Sequence, residues 1–272
     1  IETDGAASNS LETQVSYYGS LGVNWNNKRI PLLTPGSAYS SYITDIGMAR
    51  YQNMSNVMND FPFLSDPQHY VYNNNTDWQD EIYNTGITTD HLFRVEGGDA
   101  IAKYDLSLGF ASTEGILKNT KQDRYHTLLN ANITVSRKVD IFATVGLAYI
   151  NGSYQDQGMY SETNPILAAY ASSPLLTPYE KTSDGSFLRT YSSYWFGTAT
   201  RSAHKQMRVS NPVAILNTLE QKNSQYDLNL RAGINYRPIQ NLILTGSLGV
   251  YYNYNNEHVF IPGASNPSII PY

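Results

Sequence analysis

The chain contains 272 residues, with no cysteine, a net charge of −5 and a pI near 5.5. The lack of cysteine excludes a disulfide scaffold and thiolate metal sites in this chain, and the acidic balance argues against nucleic-acid binding. No run approaches the ~20 apolar residues that a membrane-spanning helix needs.

Alternation of apolar and polar residues predicts seven β-strands. Side chains of a strand point alternately to its two faces, so each stretch would have one apolar and one wet face. In chain order the apolar rows are Val15, Tyr17, Leu21 and Val23; Phe93 and Val95; Tyr104, Leu106, Leu108 and Phe110; Tyr125, Thr127, Leu129, Ala131, Ile133 and Val135; Ile141, Ala143, Val145, Leu147 and Tyr149; Tyr226, Leu228, Leu230, Ala232, Ile234 and Tyr236; and Leu242, Leu244, Gly246, Leu248, Val250, Tyr252 and Tyr254.

The sixth stretch indicates what these strands cross. Tyr226 and Tyr236 are ten positions apart, which is about 34 Å along a strand. At a tilt of ~45° the span covers ~24 Å, close to the apolar band between the aromatic girdles of an outer-membrane barrel. Strands of soluble sandwiches usually have only ~5–6 residues. The pattern therefore predicts an all-β fold, an antiparallel transmembrane β-barrel.

Short and long connections alternate along the chain. Tight turns are predicted at 97–100, 136–138 and 237–240, and long loops at about 26–87, 112–121 and 154–223. This alternation is typical of outer-membrane barrels, and it predicts that the short turns face the periplasm and the long loops the outside.

Short helices are predicted inside the long loops. Ser37 is expected to cap a helix that runs to Tyr51. Asn164-Pro165 and Asn211-Pro212 each precede an apolar run, and proline is favoured at the first position of a helix.

Seven is an odd number of strands, whereas closed single-chain bacterial barrels have an even number. Part of a larger barrel is therefore favoured over a missed strand. The chain begins at Ile1, without a methionine, and is expected to be a processed or truncated piece.

A series of motifs occupies residues 74–149. It consists of an Asp-Trp-x-x-Glu-Ile segment, a Gly-Gly turn, a Tyr-x-x-Ser-x-Gly-Phe strand, a Glu-Gly-Ile segment and a strand that opens with Arg-Tyr. The residues are Asp77, Trp78, Glu81, Ile82, Gly97, Gly98, Tyr104, Ser107, Gly109, Phe110, Glu114, Gly115, Ile116, Arg124 and Tyr125. In this order they resemble the SusC-like (RagA/SusC) family of TonB-dependent outer-membrane transporters of Bacteroidetes. Residues 19–33 also fit that family, and the likeness is weaker over 151–272.

The resemblance implies a 22-stranded barrel filled by an N-terminal plug, of which this chain would hold about the first third. Residues 1–10, which open with Ile1-Glu2-Thr3, would be the end of the plug domain and its linker. Residues 11–272 would be the N-terminal part of the barrel, in contact with outer-membrane lipid.

The same resemblance implies import of oligosaccharides or peptides across the bacterial outer membrane. The implied partners are a SusD-like surface lipoprotein and the TonB complex, the latter contacted through N-terminal regions absent from this chain. Transport by binding and gated passage requires no catalytic residue and no cofactor, so an enzyme is not expected.

Two other functions stay open from the sequence. A small standalone outer-membrane barrel would pair its first strand with its last. A secreted β-rich carbohydrate-binding or adhesin protein would bury its apolar rows against a protein core. An outer-membrane enzyme is disfavoured, because no Ser/His/Asp arrangement has a recognisable spacing.

Aromatic residues in the longest loop are the candidates for substrate binding: Tyr191, Tyr194, Trp195 and Phe196. Their rings would stack on a sugar or hold a peptide, although packing of the loop against its neighbours is the favoured interpretation. No metal site is expected. The five histidines share no metal-ligand spacing, and the oxygen-rich segment with Asn73, Asn75, Asp77 and Glu81 lacks the glycine of a calcium loop.

Overall fold

The computed structural model describes residues 12–26, 28–193, 209–262 and 268–269. Its strands are β1 (Glu12–Asn24), β2 (Gly86–Gly98), β3 (Ala102–Glu114), β4 (Lys121–Ser136), β5 (Val139–Tyr154), β6 (Tyr179–Lys181), β7 (Phe187–Tyr191), β8 (Glu220–Ile239) and β9 (Leu242–Phe260). Seven of them form one sheet in the order β1-β2-β3-β4-β5-β8-β9, while β6 and β7 pair with each other. All seven predicted strands are thus confirmed.

Neighbouring strands of the large sheet are antiparallel throughout. Short turns join β2 to β3, β4 to β5 and β8 to β9, as predicted. In the first of these turns Asp99 Oδ1 accepts hydrogen bonds from the N–H groups of Ala102 (2.8 Å) and Ile101 (2.7 Å). These bonds lower the pKa of Asp99. Gly98 adopts a φ of 137° next to this turn, a conformation that favours glycine.

The sheet is open in the part of the chain that the structure describes. Strands β1 and β9 form its two edges and do not pair with each other. A small standalone barrel requires that pairing, so the open arc does not favour that alternative. It agrees with the prediction of a partial barrel.

The predicted apolar rows lie on one face of the sheet and remain accessible. Most of their large side chains are exposed, from 36% for Leu230 to 74% for Leu21 and 84% for Leu248. Within the described ranges no second sheet packs on this face. The buried rows expected of a secreted β-rich protein are therefore not found.

Five α-helices and one 3₁₀-helix are found within the described residues, all in the long loops. They are α1 (Gly36–Tyr51), α2 (Met54–Asp60), the 3₁₀-helix Pro62–Leu64, α3 (Trp78–Ile82), α4 (Pro165–Ala171) and α5 (Pro212–Thr218). None of these helices combines the length and the apolarity needed to cross a bilayer.

The predicted start of α1 is wrong in its capping residue. The N-cap position is Pro35, and no neighbouring side chain caps the helix. Instead the N–H of Gly36 donates to Asn75 Oδ1 at 2.7 Å. The acceptor comes from a segment 39 residues away, and this pairing exists only in the folded loop. Local sequence around Ser37 carried no sign of it.

The two helices predicted at Asn-Pro pairs are confirmed. Asn164 Oδ1 accepts from the N–H groups of Ile166 (2.9 Å) and Leu167 (3.2 Å), so it caps α4. Asn211 caps α5 in the same way. In each helix proline occupies the first turn, where its missing N–H costs no hydrogen bond.

Replacing Asn164 with alanine is expected to destabilise α4 by about 1 kcal/mol, the usual cost of a lost N-cap. Amide hydrogen exchange of Ile166 and Leu167 should accelerate by roughly fivefold, since 1.4 kcal/mol corresponds to about tenfold. Asn164→Asp is the control, because its carboxylate still accepts from both N–H groups and, like alanine, loses the bond that Asn164 Nδ2 donates to the Gly158 carbonyl. Equal exchange rates in the alanine variant and the unchanged protein would contradict this assignment of the cap.

Buried apolar side chains of the described residues concentrate in the long loops. One cluster contains Trp78, Ile82, Leu117, Ala169, Val213 and Leu216, and a second contains Ala168, Ala214, Ile215, Leu219 and Ile269. Apart from Ile269, which follows β9, these residues belong to three connections between strands: 28–85, 115–120, and 155–193 with 209–219. We call these three connections the loop unit. It packs a core of its own at the end of the sheet opposite the short turns.

Candidate functional site

An aromatic row crosses the apolar face of the sheet. Its members lie four to six residues from the strand ends that lead to the long loops. They are His91, Phe110, Tyr125, Tyr149, Tyr226 and Tyr254, with neighbouring ring centroids 6.3, 4.9, 6.2, 4.7 and 6.4 Å apart. Tyrosine at this level has an apolar body and a polar tip, as in the interfacial girdle of a membrane barrel.

The row extends to the first strand. Tyr17 stacks on His91 at 6.1 Å and shares a 2.7 Å hydrogen bond with its Nδ1. At the short-turn end of the sheet, Tyr104 shares a hydrogen bond of 2.8 Å with Thr13, and Tyr236 lies in β8 near its last residue, Ile239. Aromatic residues therefore bracket the apolar rows at both levels. The sequence predicted the tyrosines but not the continuous row, which depends on strand register.

Next to the aromatic row, on the side of the short turns, the apolar face has a recess of about 570 Å³. Its outward walls include Leu108, Tyr125, Leu147, Tyr226 and Tyr252. Such a lining suits a hydrocarbon chain and offers little to a polar ligand. The recess belongs to the face that would contact lipid.

Polar side chains line the opposite face. Arg94 makes two hydrogen bonds of 2.9 Å to Asp105 and an ion pair of 2.9 Å with Glu96. Arg237 pairs with Asp140. A sheet with one apolar and one ion-paired face suits a wall between lipid and a wet lumen.

Helix α3 connects the first and third long loops. Asp77 caps it by accepting from Gln79 N–H at 2.9 Å. Trp78 is 1% exposed and its Nε1 donates to the carbonyl of Ser173 at 2.9 Å. Ile82 is fully buried in the same cluster. The Asp-Trp-x-x-Glu-Ile motif is thus explained as a cap followed by two anchors of the loop core.

The chain between β1 and α1 is held on α3 by polar contacts. Arg29 is hydrogen-bonded to Asp80 and lies 3.6 Å from Asp77. The hydrogen bond to Asp80 raises the pKa of Arg29. Gln79 donates to the carbonyl of Ile30 at 2.8 Å and accepts from its N–H at 3.1 Å. These reciprocal bonds fix the first loop where it leaves the sheet.

Of the predicted substrate-binding residues, Tyr191 lies at the end of β7. Its ring stacks on Tyr179 at 5.3 Å and packs against both buried clusters. Loss of hydration in this environment raises the pKa of Tyr179. Tyr194, Trp195 and Phe196 lie outside the described residues. A binding role for the four remains a prediction.

The first long loop contains a second cavity, of about 390 Å³, which we call the α1 pocket. The N-terminal turn of α1 and the segment 67–75 form its walls. The lining includes Ser37, Ser40, Gln68, Tyr72, Asn73 and Asn75. In the sequence these asparagines match only a pattern of calcium ligands. The pocket itself is not visible there, because its other wall, the first turn of α1, lies in a distant part of the chain.

Two of the side-chain oxygens in the segment that resembles a calcium loop have protein partners. Asn75 Oδ1 accepts from Gly36, and Asp77 caps α3. Across the described residues, no group of three or more histidine, aspartate or glutamate side chains is arranged to hold a metal ion.

Part of the chain is similar in sequence to two curated TonB-dependent receptors. No family model matches the chain. TonB-dependent receptor SusC of Bacteroides thetaiotaomicron is 28% identical over 139 residues, which cover 48% of this chain and 11% of SusC. TonB-dependent receptor P3 of Formosa agariphila is 28% identical over 121 residues, covering 42% of this chain and 12% of that receptor.

Solved structures of the RagAB peptide transporter share the fold. The closed-closed state of the importer superposes with a TM-score of 0.71 at 17% identity, over 99% of this chain and 31% of that one. Another RagAB structure gives a TM-score of 0.67, also at 17% identity, over 90% of this chain and 28% of that one. The predicted resemblance to part of a SusC-like receptor is confirmed. The matched part of the chain covers only about a tenth of the curated relatives' length.

Proposed function

We propose that this chain forms part of an outer-membrane, TonB-dependent nutrient importer of the SusC type. The observation that carries the proposal is the exposed apolar face bounded by aromatic residues, on an open arc of long antiparallel strands. In water this exposed apolar face would cost free energy, whereas in the hydrocarbon of a membrane it would not. Similarity to SusC, receptor P3 and RagAB supports the assignment.

In this proposal residues 1–10 end a plug domain and residues 11–272 form the N-terminal part of the barrel. The polar face, with its Arg94 and Arg237 ion pairs, lines the lumen around the plug. The short turns face the periplasm, and the loop unit faces the outside. No catalytic step is assigned, because binding and gated passage suffice for import.

The proposed cargo is an oligosaccharide or a peptide, taken up together with a SusD-like surface lipoprotein. The TonB complex would supply energy through parts of the protein that precede this chain. RagAB is described as a peptide importer, and the shared fold supports a cargo of this size class. With the loop unit facing the outside, it is the part of this chain that would meet an external partner.

Deletion of the full-length gene in its own organism tests the proposal. Uptake of labelled oligosaccharides or peptides should fall to background for at least one class of nutrient, and the full-length gene should restore it. Disruption of TonB should abolish the same uptake. Recovery of the protein in the detergent-free soluble fraction, or uptake independent of both genes, would overturn the proposal.

A further inference from the structure

We propose that the α1 pocket binds a neutral, hydroxyl-rich ring, that is, one sugar unit of an uncharged oligosaccharide. This inference rests on the proposed import function and narrows its substrate class. The pocket lies in the loop unit, outside both buried clusters, and Tyr191 is not among its lining residues. Its volume of about 390 Å³ falls in the range of roughly 300–1,000 Å³ that is usual for small-ligand sites.

The walls of the pocket are held in place before any ligand binds. Asn75 is fixed through its Oδ1, which accepts from Gly36 at 2.7 Å. Asn74 donates to the carbonyls of Val71 and Leu175, each at 2.8 Å, and its Oδ1 accepts from Lys181. Phe63 is 1% exposed and forms a closed apolar floor. A preformed site loses little conformational entropy on binding.

Polar groups at the pocket keep unused hydrogen-bonding capacity. Among the described residues, the hydroxyls of Ser37 and Ser40 and the amide NH₂ of Asn75 have no protein partner, whereas Asn73 donates to Gln68 at 3.2 Å and keeps its own oxygen available. Hydroxyl and amide side chains both donate and accept. They match the hydroxyl groups of a sugar, each of which also does both.

The charge of the lining decides between a sugar and a charged peptide. Serine, asparagine, glutamine, tyrosine, proline, phenylalanine, leucine and glycine line the pocket, and none of them is charged at neutral pH. The nearby Lys181 ammonium is engaged with Asn74. A charged terminus or side chain would lose hydration here without gaining a counter-charge. A neutral oligosaccharide avoids that cost.

The test uses the full-length importer in detergent and in its own cells. Binding is measured on an array of neutral oligosaccharides, uronic-acid oligosaccharides and charged heptapeptides, then by calorimetry with the best neutral glycan. Ser40→Phe fills the pocket from α1, and we expect it to weaken binding of that glycan by at least tenfold. Ser41→Phe is the matched control, because Ser41 is the next residue of the same helix and does not line the pocket.

The outcomes separate the two proposals. Selective binding of a neutral glycan that Ser40→Phe loses and Ser41→Phe keeps would support the site. Unchanged affinity in Ser40→Phe, or selective binding of charged peptides by the unchanged protein, would overturn the site while leaving the import function intact. If nutrient uptake persists after both the gene deletion and the TonB disruption, the proposed import function is wrong. Circular dichroism and the yield of membrane-inserted protein show that both variants fold.

Discussion

Replacing Leu230 with arginine is expected to destabilise the full-length barrel by about 2–4 kcal/mol, the cost of a cationic side chain near the bilayer midplane. Leu230 lies in β8 on the apolar face, between Tyr226 and Tyr236. It faces Val145 of β5 and Val250 of β9 across the sheet. An arginine there has no carboxylate neighbour on its own face at this level and would have to extend past the apolar row to reach water.

Asn229→Arg provides the matched control. Asn229 is the adjacent residue of the same strand and points to the polar face, so its arginine would remain hydrated in the lumen. Urea unfolding of both variants in lipid vesicles gives the difference in free energy directly. Similar stability of the two arginine variants would mean that the faces have been assigned to the wrong environments.

Replacing Trp78 with alanine is expected to lower the stability of the loop unit by about 3–5 kcal/mol, as for other buried tryptophans. The ring fills the cluster around Ile82 and Leu216 and is 1% exposed. Its removal also takes away the indole hydrogen bond to the Ser173 carbonyl, which adds to the cost, although that carbonyl keeps its bond from the Leu176 N–H at 3.2 Å. Because this side chain packs between the first loop and the third, both should loosen around it.

Trp25→Ala is the control, because it removes the same number of atoms from a tryptophan that is 63% exposed. Amide hydrogen exchange of the full-length protein, followed at Ala169 and Leu216, measures the opening free energy of the cluster. Exchange should accelerate strongly in Trp78→Ala and little in Trp25→Ala, while the strands keep their protection. Unchanged exchange in Trp78→Ala would refute a shared core between the two loops.

The two expected effects report on two separate sources of stability. The sheet relies on strand hydrogen bonds and, in the proposed location, on lipid at its apolar face. The loop unit relies on buried protein contacts in the ordinary sense. Substitution of Leu230 should therefore impair membrane assembly without loosening the core of the loop unit. Substitution of Trp78 should loosen that core without impairing membrane assembly.

Sequence by itself determined the strands, their apolar faces and the helices at Asn164 and Asn211. These features depend on periodicity and on residues adjacent in the chain, such as an asparagine before a proline. The resemblance to SusC-like receptors was also readable, because the Asp77 to Tyr125 motifs occur in order along the chain. The aromatic candidates at 194–196 lie outside the described residues, and the role of Tyr191 in binding stays a prediction.

Only the tertiary structure decided how distant segments meet. Asn75, and not Ser37, accepts a hydrogen bond from the first turn of α1. The Ser173 carbonyl accepts a hydrogen bond from the Trp78 indole, which comes from a different long loop. Strand register aligns single aromatic residues from six strands into one row. Each of these contacts joins residues far apart in sequence, and their pairing depends on loop closure and sheet register, which no local pattern encodes.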